Sequence, residues 1–233
     1  MKSLIFDAGP IISMATNNLL WVLEPLKKQF NGEFYITDAV RSEIVNKPLE
    51  TKKFKFEAIQ AQKLIEDGIL QVIDNAFIRE KTPDLLNTAN EIFKARNSYI
   101  RIVHFAEISV IAAAISLNAI AIAIDEKTTR FLIESPNMIV EILRKTLHTP
   151  VFINENNLKE FKNAVSNIRA LRSVELVAIA YEHGMLDRYI TKIPDSRKNL
   201  LESVLWGLKL NGCAVSEGEI EQILEQILKI VAK

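Results

Sequence analysis

Two short apolar runs, residues 2–6 and 119–124, each end on an aspartate, and they constrain this chain more than any other feature. Neither alternates polar and apolar positions as a strand with one wet face would. Each therefore reads as a strand buried on both faces, the pattern of a parallel sheet held between helical layers. The residue that leaves such a strand, Asp7 in one case and Asp125 in the other, projects at the carboxyl edge of the sheet. In open α/β sheets that edge is where ligands bind.

The segments between them supply the alternation that a parallel sheet needs. Residues 11–30 carry Ile12, Ala15, Leu19, Leu23 and Leu26 at helical spacing and stop before Gly32. Residues 34–37 read as a second strand, and Asp38 as the N-cap of a helix that runs to Asn46 with Pro48 beyond it. Helices are expected over 53–67, 84–96, 104–117, 126–133 and 138–147, with strands at 69–73 and, as a final edge, 151–153. From Asn154 onward the pattern is helical only, near 156–163, 166–183, 196–210 and 216–231. The last of these opens with Ser216 and Glu219 at capping-box spacing. The expected architecture is an α/β domain over residues 1–153, with a parallel sheet of four or five strands flanked by helices. A helical C-terminal extension, residues 154–233, packs on the same domain.

Bulk properties narrow the chemistry. Lys+Arg and Asp+Glu stand at 29 each, so no net charge drives nonspecific attraction to nucleic acid, although a local basic rim is compatible with that balance. The single cysteine, Cys213, has no partner for an internal disulfide or a zinc knuckle and reads as a small buried apolar residue. No run approaches the about 20 apolar residues of a membrane span, and the first residues do not resemble a secretory leader, so a cytoplasmic location is expected.

Two further acids reach the same sheet edge by a different route. Glu43 and Glu107 each fall in the first two turns of a helix that begins there. Glu107 shares its stripe with Ile111 and Ala114, which should face the sheet, and no Lys or Arg lies one turn away on that face. Glu43 shares a stripe with Val40 and Ile44, with Lys47 four residues on as a candidate ion-pair partner. A carboxylate pressed against an apolar layer is costly unless a cation offsets it. Clustered acids with only oxygen to offer suit a hard cation, Mg²⁺ or Mn²⁺.

The motifs that carry these acids resemble those of a known family. LIFDAGPIISMA, ITDAVRSEIV, HFAEISVIAAAISLNAIAIAIDEKTTR and the 18-residue step from Glu107 to Asp125 are similar to the motifs of PIN domains, including VapC-type toxins of toxin–antitoxin pairs. The resemblance implies that Asp7, Glu43, Glu107 and Asp125 hold Mg²⁺ or Mn²⁺ for endonucleolytic cleavage of RNA. It also implies a second acid after the strand at Glu126. Single-stranded RNA is the expected substrate, with an antitoxin protein and a second copy of the chain as candidate partners. Lys127 and Arg130, at the mouth of the site, are candidate substrate contacts. Lys94, Arg96 and Arg101 flank Tyr99, an aromatic able to stack a base, in what reads most simply as a solvated face. His104, one turn before Glu107, reads as a helix-start surface residue.

Rival readings fare worse. An aspartyl-nucleophile phosphatase needs a second acid two residues after the first, where Gly9 stands, and a dinucleotide-binding enzyme needs a glycine-rich first turn that is absent. The nearer alternative is a catalytically inactive PIN-like module that binds RNA or a protein partner.

Overall fold

Four consecutive buried residues, Ser3–Phe6, form the first strand, and their lack of a polar face dictates that both sides be covered. In the computed structural model, which describes residues 2–231, this strand lies at the middle of the main sheet. The described strands are β1 (Ser3–Phe6), β2 (Glu33–Thr37), β3 (Leu70–Ile73), β4 (Phe93–Ala95), β5 (Ser98–Tyr99), β6 (Ala121–Ala123), β7 (Phe152–Ile153) and β8 (Arg169–Leu171). The main sheet has five parallel strands in the order β3-β2-β1-β6-β8, and a small antiparallel sheet has the order β5-β4-β7.

Helices cover this sheet. The helix Phe105–Leu117 is apolar almost all round, and Ile108 through Ala114 are buried without exception, as befits a helix between the sheet and an outer layer. It packs against β1 and β2 on one side and against the helix Ala76–Asn90 on the other. Among the described residues no helix is long and apolar enough to cross a membrane.

Several elements depart from the sequence reading. The segment 11–30 is not one helix: it breaks into Ala8–Thr16, a 3-10 turn at Leu20–Val22 and Leu23–Phe30. Asn18 at the break adopts a left-handed backbone (φ 55°), a conformation Asn tolerates, and the Asn17 side chain donates to the Ser13 carbonyl at 2.7 Å. The helix expected at 84–96 instead runs Ala76–Asn90. Asn75 caps it by accepting from Ile78 N at 2.9 Å, and Phe93–Ala95 goes into β4. Pro83, inside that helix, disguised its start.

The largest correction concerns the C-terminal part. Residues 166–183 do not form a single helix; Arg169–Leu171 form β8, which covers the free edge of β6, and a helix follows at Ser173–Glu182. Residues 154–231 thus supply the fifth strand of the main sheet in addition to helices.

Candidate metal centre

The parallel register sets the geometry of the carboxyl edge. Phe6 opposes Ala123, and the ladder continues as Asp7 N donates to the Ala123 carbonyl at 2.9 Å, which places Asp7 beside Ile124. Asp125 and Glu126 follow Ile124 directly, so they leave β6 at the same carboxyl edge as Asp7.

Asp7 is 5% exposed and caps the helix Ala8–Thr16, accepting from Gly9 N at 3.4 Å. Among the described residues no Lys, Arg or His forms an ion pair with it. Burial pushes its carboxyl from the usual 3.8 up to about 7; the Ala8 amide opposes the rise, the Glu107 charge adds to it, the Gly9 amide opposes it, and the Glu43 charge adds again. Glu107 is half-buried, and its Oε2 accepts from the His104 backbone N–H as part of a capping box. Burial raises its pKa above the usual glutamate value. The His104 amide and imidazole lower it, and the charges of Glu126 and Glu43 raise it further.

Asp7, Glu43, Glu107 and Glu126 thus act on one another electrostatically. The two helices that deliver Glu43 and Glu107 are pinned together at their starts. Thr37, the N-cap of the first, lies 2.7 Å from Ser109 of the second, hydroxyl to hydroxyl. Ser109 donates to the Ala106 carbonyl at 2.6 Å, so Thr37 is the donor to Ser109 while it accepts from Val40 N. Glu43 sits in a π-helical stretch, Ser42–Asn46, where a regular helix was expected. Such widened turns are rare and are frequent at functional sites. Lys47, its ion-pair partner among the described residues, is 3.8 Å away with both side chains well exposed, an arrangement of small energetic weight.

Asp125 is placed differently from what the sequence suggests. It is 2% exposed, and its carboxylate is already engaged: Oδ2 accepts from Ser13 Oγ at 2.6 Å and Ser173 Oγ at 2.8 Å, and Oδ1 accepts from Ser173 N at 2.7 Å. It thereby ties β6 to the first helix and to the start of the helix Ser173–Glu182. Its own carbonyl accepts from Ala214 N at 3.0 Å. Cys213 lies against this junction, buried as expected, and burial followed by the Asp125 charge pushes its thiol up to about 12. Gly9 stands between the two aspartates, where a Cβ would come within 3.2 Å of Asp125 Cβ. Ser13 and Ser173 escaped the sequence reading because single serines in apolar stretches carry no distinguishing signal.

Glu126 caps the helix Lys127–Glu134 with both oxygens, accepting from Thr128 N at 2.7 Å and Thr129 N at 2.6 Å. Lys127 is exposed above the Phe131 ring (5.4 Å), and Arg130 lies over the same ring (5.0 Å) with its guanidinium largely buried and 3.5 Å from Glu134. Lys127 is therefore available to a ligand, while Arg130 is mainly committed to its own helix.

The donor set fits a hard dication: all oxygen, partly dehydrated, and with no buried cationic partner among the described residues. As the side chains stand, with Glu107 and Glu126 turned back onto helix N-termini, no three His, Cys, Asp or Glu groups among the described residues form a ready-made metal cage.

A family model described as PIN domain matches residues 3–141, which include all five acids. The chain belongs to the PIN-domain family. PIN domains are in general nucleases that use divalent metal ions, so the chain carries a nuclease-type fold. No curated protein and no solved structure matches it significantly. In this PIN domain the matched region ends before β8, so the fifth strand and the serine partner of Asp125 at position 173 come from the part of the chain beyond the match.

Proposed function

We propose that this PIN domain is a metal-dependent endoribonuclease in which Asp7, Glu43, Glu107, Asp125 and Glu126 serve a Mg²⁺ or Mn²⁺ centre. The observation that carries the reading is the burial of Asp7 among other acids with no ion-pair partner among the described residues, a costly arrangement that a bound dication would relieve. A bound dication supplies a water nucleophile at neutral pH and offsets charge on a phosphodiester under attack. The chain's own residues do the rest. Asp7, Glu43 and Glu107 bring negative charge to one spot from three separate elements. Asp125 locks β6 and the first helix so that Asp7 and Glu126 keep their places. Lys127, at the rim, attracts the phosphate backbone of the strand.

The test is cleavage of single-stranded RNA in Mn²⁺ and in EDTA by the parent and by Asp7→Asn and Glu107→Gln. Loss of cleavage in EDTA and in both variants supports the reading. Variants that cut as well as the parent overturn it.

A second reading, an inactive PIN-like module that binds RNA or a protein, draws on the three hydrogen bonds that already occupy Asp125. It predicts RNA binding with no EDTA-sensitive cleavage. A toxin-type role, with an antitoxin partner, is the narrower form of the nuclease reading. Its check is growth arrest when the chain is expressed alone, absent with Asp7→Asn; growth unaffected by the parent contradicts it.

A further inference from the structure

One turn from Glu107 lies a cavity of about 540 Å³ that the metal centre does not use. Its volume is within the about 300–1,000 Å³ typical of small-ligand sites. The lining includes Asn87, Glu91, Tyr99, Arg101, His104 and Phe105. Tyr99 and Phe105 are 47% and 50% exposed, and both line the cavity. Arg101 is exposed and forms no ion pair among the described residues, and the Asn87 side chain is also exposed.

The wall is stiff. Asn90 holds the connection from β5 to the helix Phe105–Leu117 by accepting from Ile102 N (2.8 Å) and Val103 N (3.2 Å) while donating to the Val103 carbonyl (3.0 Å). Lys94 lies 5.7 Å from the Tyr99 ring centroid and favours its place on β5. Two aromatic faces, an amide, a carboxylate and a free guanidinium on a rigid frame match one class of ligand. A planar base can stack on the rings, the Glu91 carboxylate and Asn87 amide suit its polar edge, and Arg101 suits the phosphate.

We propose that this cavity is a nucleobase subsite, holding one unpaired base of a single-stranded RNA next to the scissile phosphate. The proposal rests on the ribonuclease reading. Its geometric basis is that His104 and Phe105 line the cavity while Glu107 stands three residues beyond His104, a rise of about 4.5 Å along the helix. A base in a duplex is stacked on its neighbours and cannot enter, so the subsite selects single strands.

The experiment uses an RNA oligonucleotide with one cut site and a series of versions with one base removed, the ribose and phosphate kept. Cleavage in Mn²⁺ gives KM, and fluorescence anisotropy of labelled RNA in EDTA gives Kd. With the parent, one abasic position beside the cut should weaken KM and Kd about tenfold, equivalent to about 1.4 kcal/mol. With Tyr99→Ala or Phe105→Ala the intact RNA should bind about tenfold more weakly, and the same abasic position should then matter less than twofold. Equal abasic penalties in parent and variants, or none in the parent, overturn the subsite even if cleavage is normal. Abasic-sensitive binding without any cleavage keeps the subsite and sinks the nuclease reading.

Discussion

Replacing Asp7 by asparagine should stabilise the metal-free protein while it abolishes function. Burial raises this carboxyl from 3.8 to about 7 in the folded chain. An acid whose pKa is higher folded than unfolded holds its proton more tightly in the native state. Stability is therefore lost as pH rises from about 4 through about 7. At about 1.4 kcal/mol per tenfold change in acidity, the cost of the buried carboxyl approaches about 4 kcal/mol at pH 8, where it is ionised, and is about 2 kcal/mol at pH 5, where the folded chain keeps it protonated. These are upper values, because the native state relaxes around a charge. Asparagine keeps the shape and the capping oxygen but not the charge. Urea unfolding in EDTA, followed by circular dichroism, should show Asp7→Asn more stable than the parent, with an advantage at pH 8 about 2 kcal/mol larger than at pH 5. A variant no more stable than the parent at pH 8, or an advantage that ignores pH, would refute the idea that Asp7 is strained by uncompensated charge.

Asp125 should behave in the opposite way. Asp125→Ala strands two buried hydroxyls and the Ser173 amide, so a loss of about 3 kcal/mol is expected in urea unfolding; a loss under about 1 kcal/mol would contradict its role as a tie between elements. Arg172 is buried and paired with Glu175 (2.5 Å) and Glu219 (2.7 Å), which fastens the Ser173–Glu182 helix to the C-terminal helix Glu217–Val231. Burial raises the Glu219 carboxyl, but the Ser216 amide and hydroxyl and the Arg172 guanidinium outweigh it and hold the pKa at about 2. Its stabilisation is present above about pH 4.5 and is lost as pH falls towards 2, so the advantage of the parent over Glu219→Gln in unfolding should be constant above pH 5 and shrink below it. A gap independent of pH would exclude the ion pair as its source. Lys127→Ala should weaken RNA binding uniformly across sequences and lower the salt slope by about 1; an unchanged slope would place the phosphates elsewhere.

Much of the fold was legible because buried parallel strands write themselves as unbroken apolar runs: residues 3–6 and 121–123 sit at the centre of the main sheet as their sequences require. β8 was not legible. Three residues, Arg169–Leu171, fit a helical or an extended period equally well, and only the open edge of β6 decides between them. Of the small sheet only β7 was legible, as an edge strand at 151–153; β4 and β5, three and two residues long, were hidden for a similar reason.

At the site, the positions of the acids could be read from element ends, but their orientations could not. That the Asp125 carboxylate is taken up by Ser13 and Ser173 follows from long-range packing, which no single strand reveals. The serines that receive it lie 112 and 48 residues away in the chain.

The most direct test of the metal centre is a crystal grown with Mn²⁺ and measured for anomalous scattering. A peak in contact with Asp7 and Glu107, with Glu43 or Glu126 drawn towards it, is the predicted result. Saturating Mn²⁺ that leaves these carboxylates bare, or that binds only at the protein surface elsewhere, would contradict it.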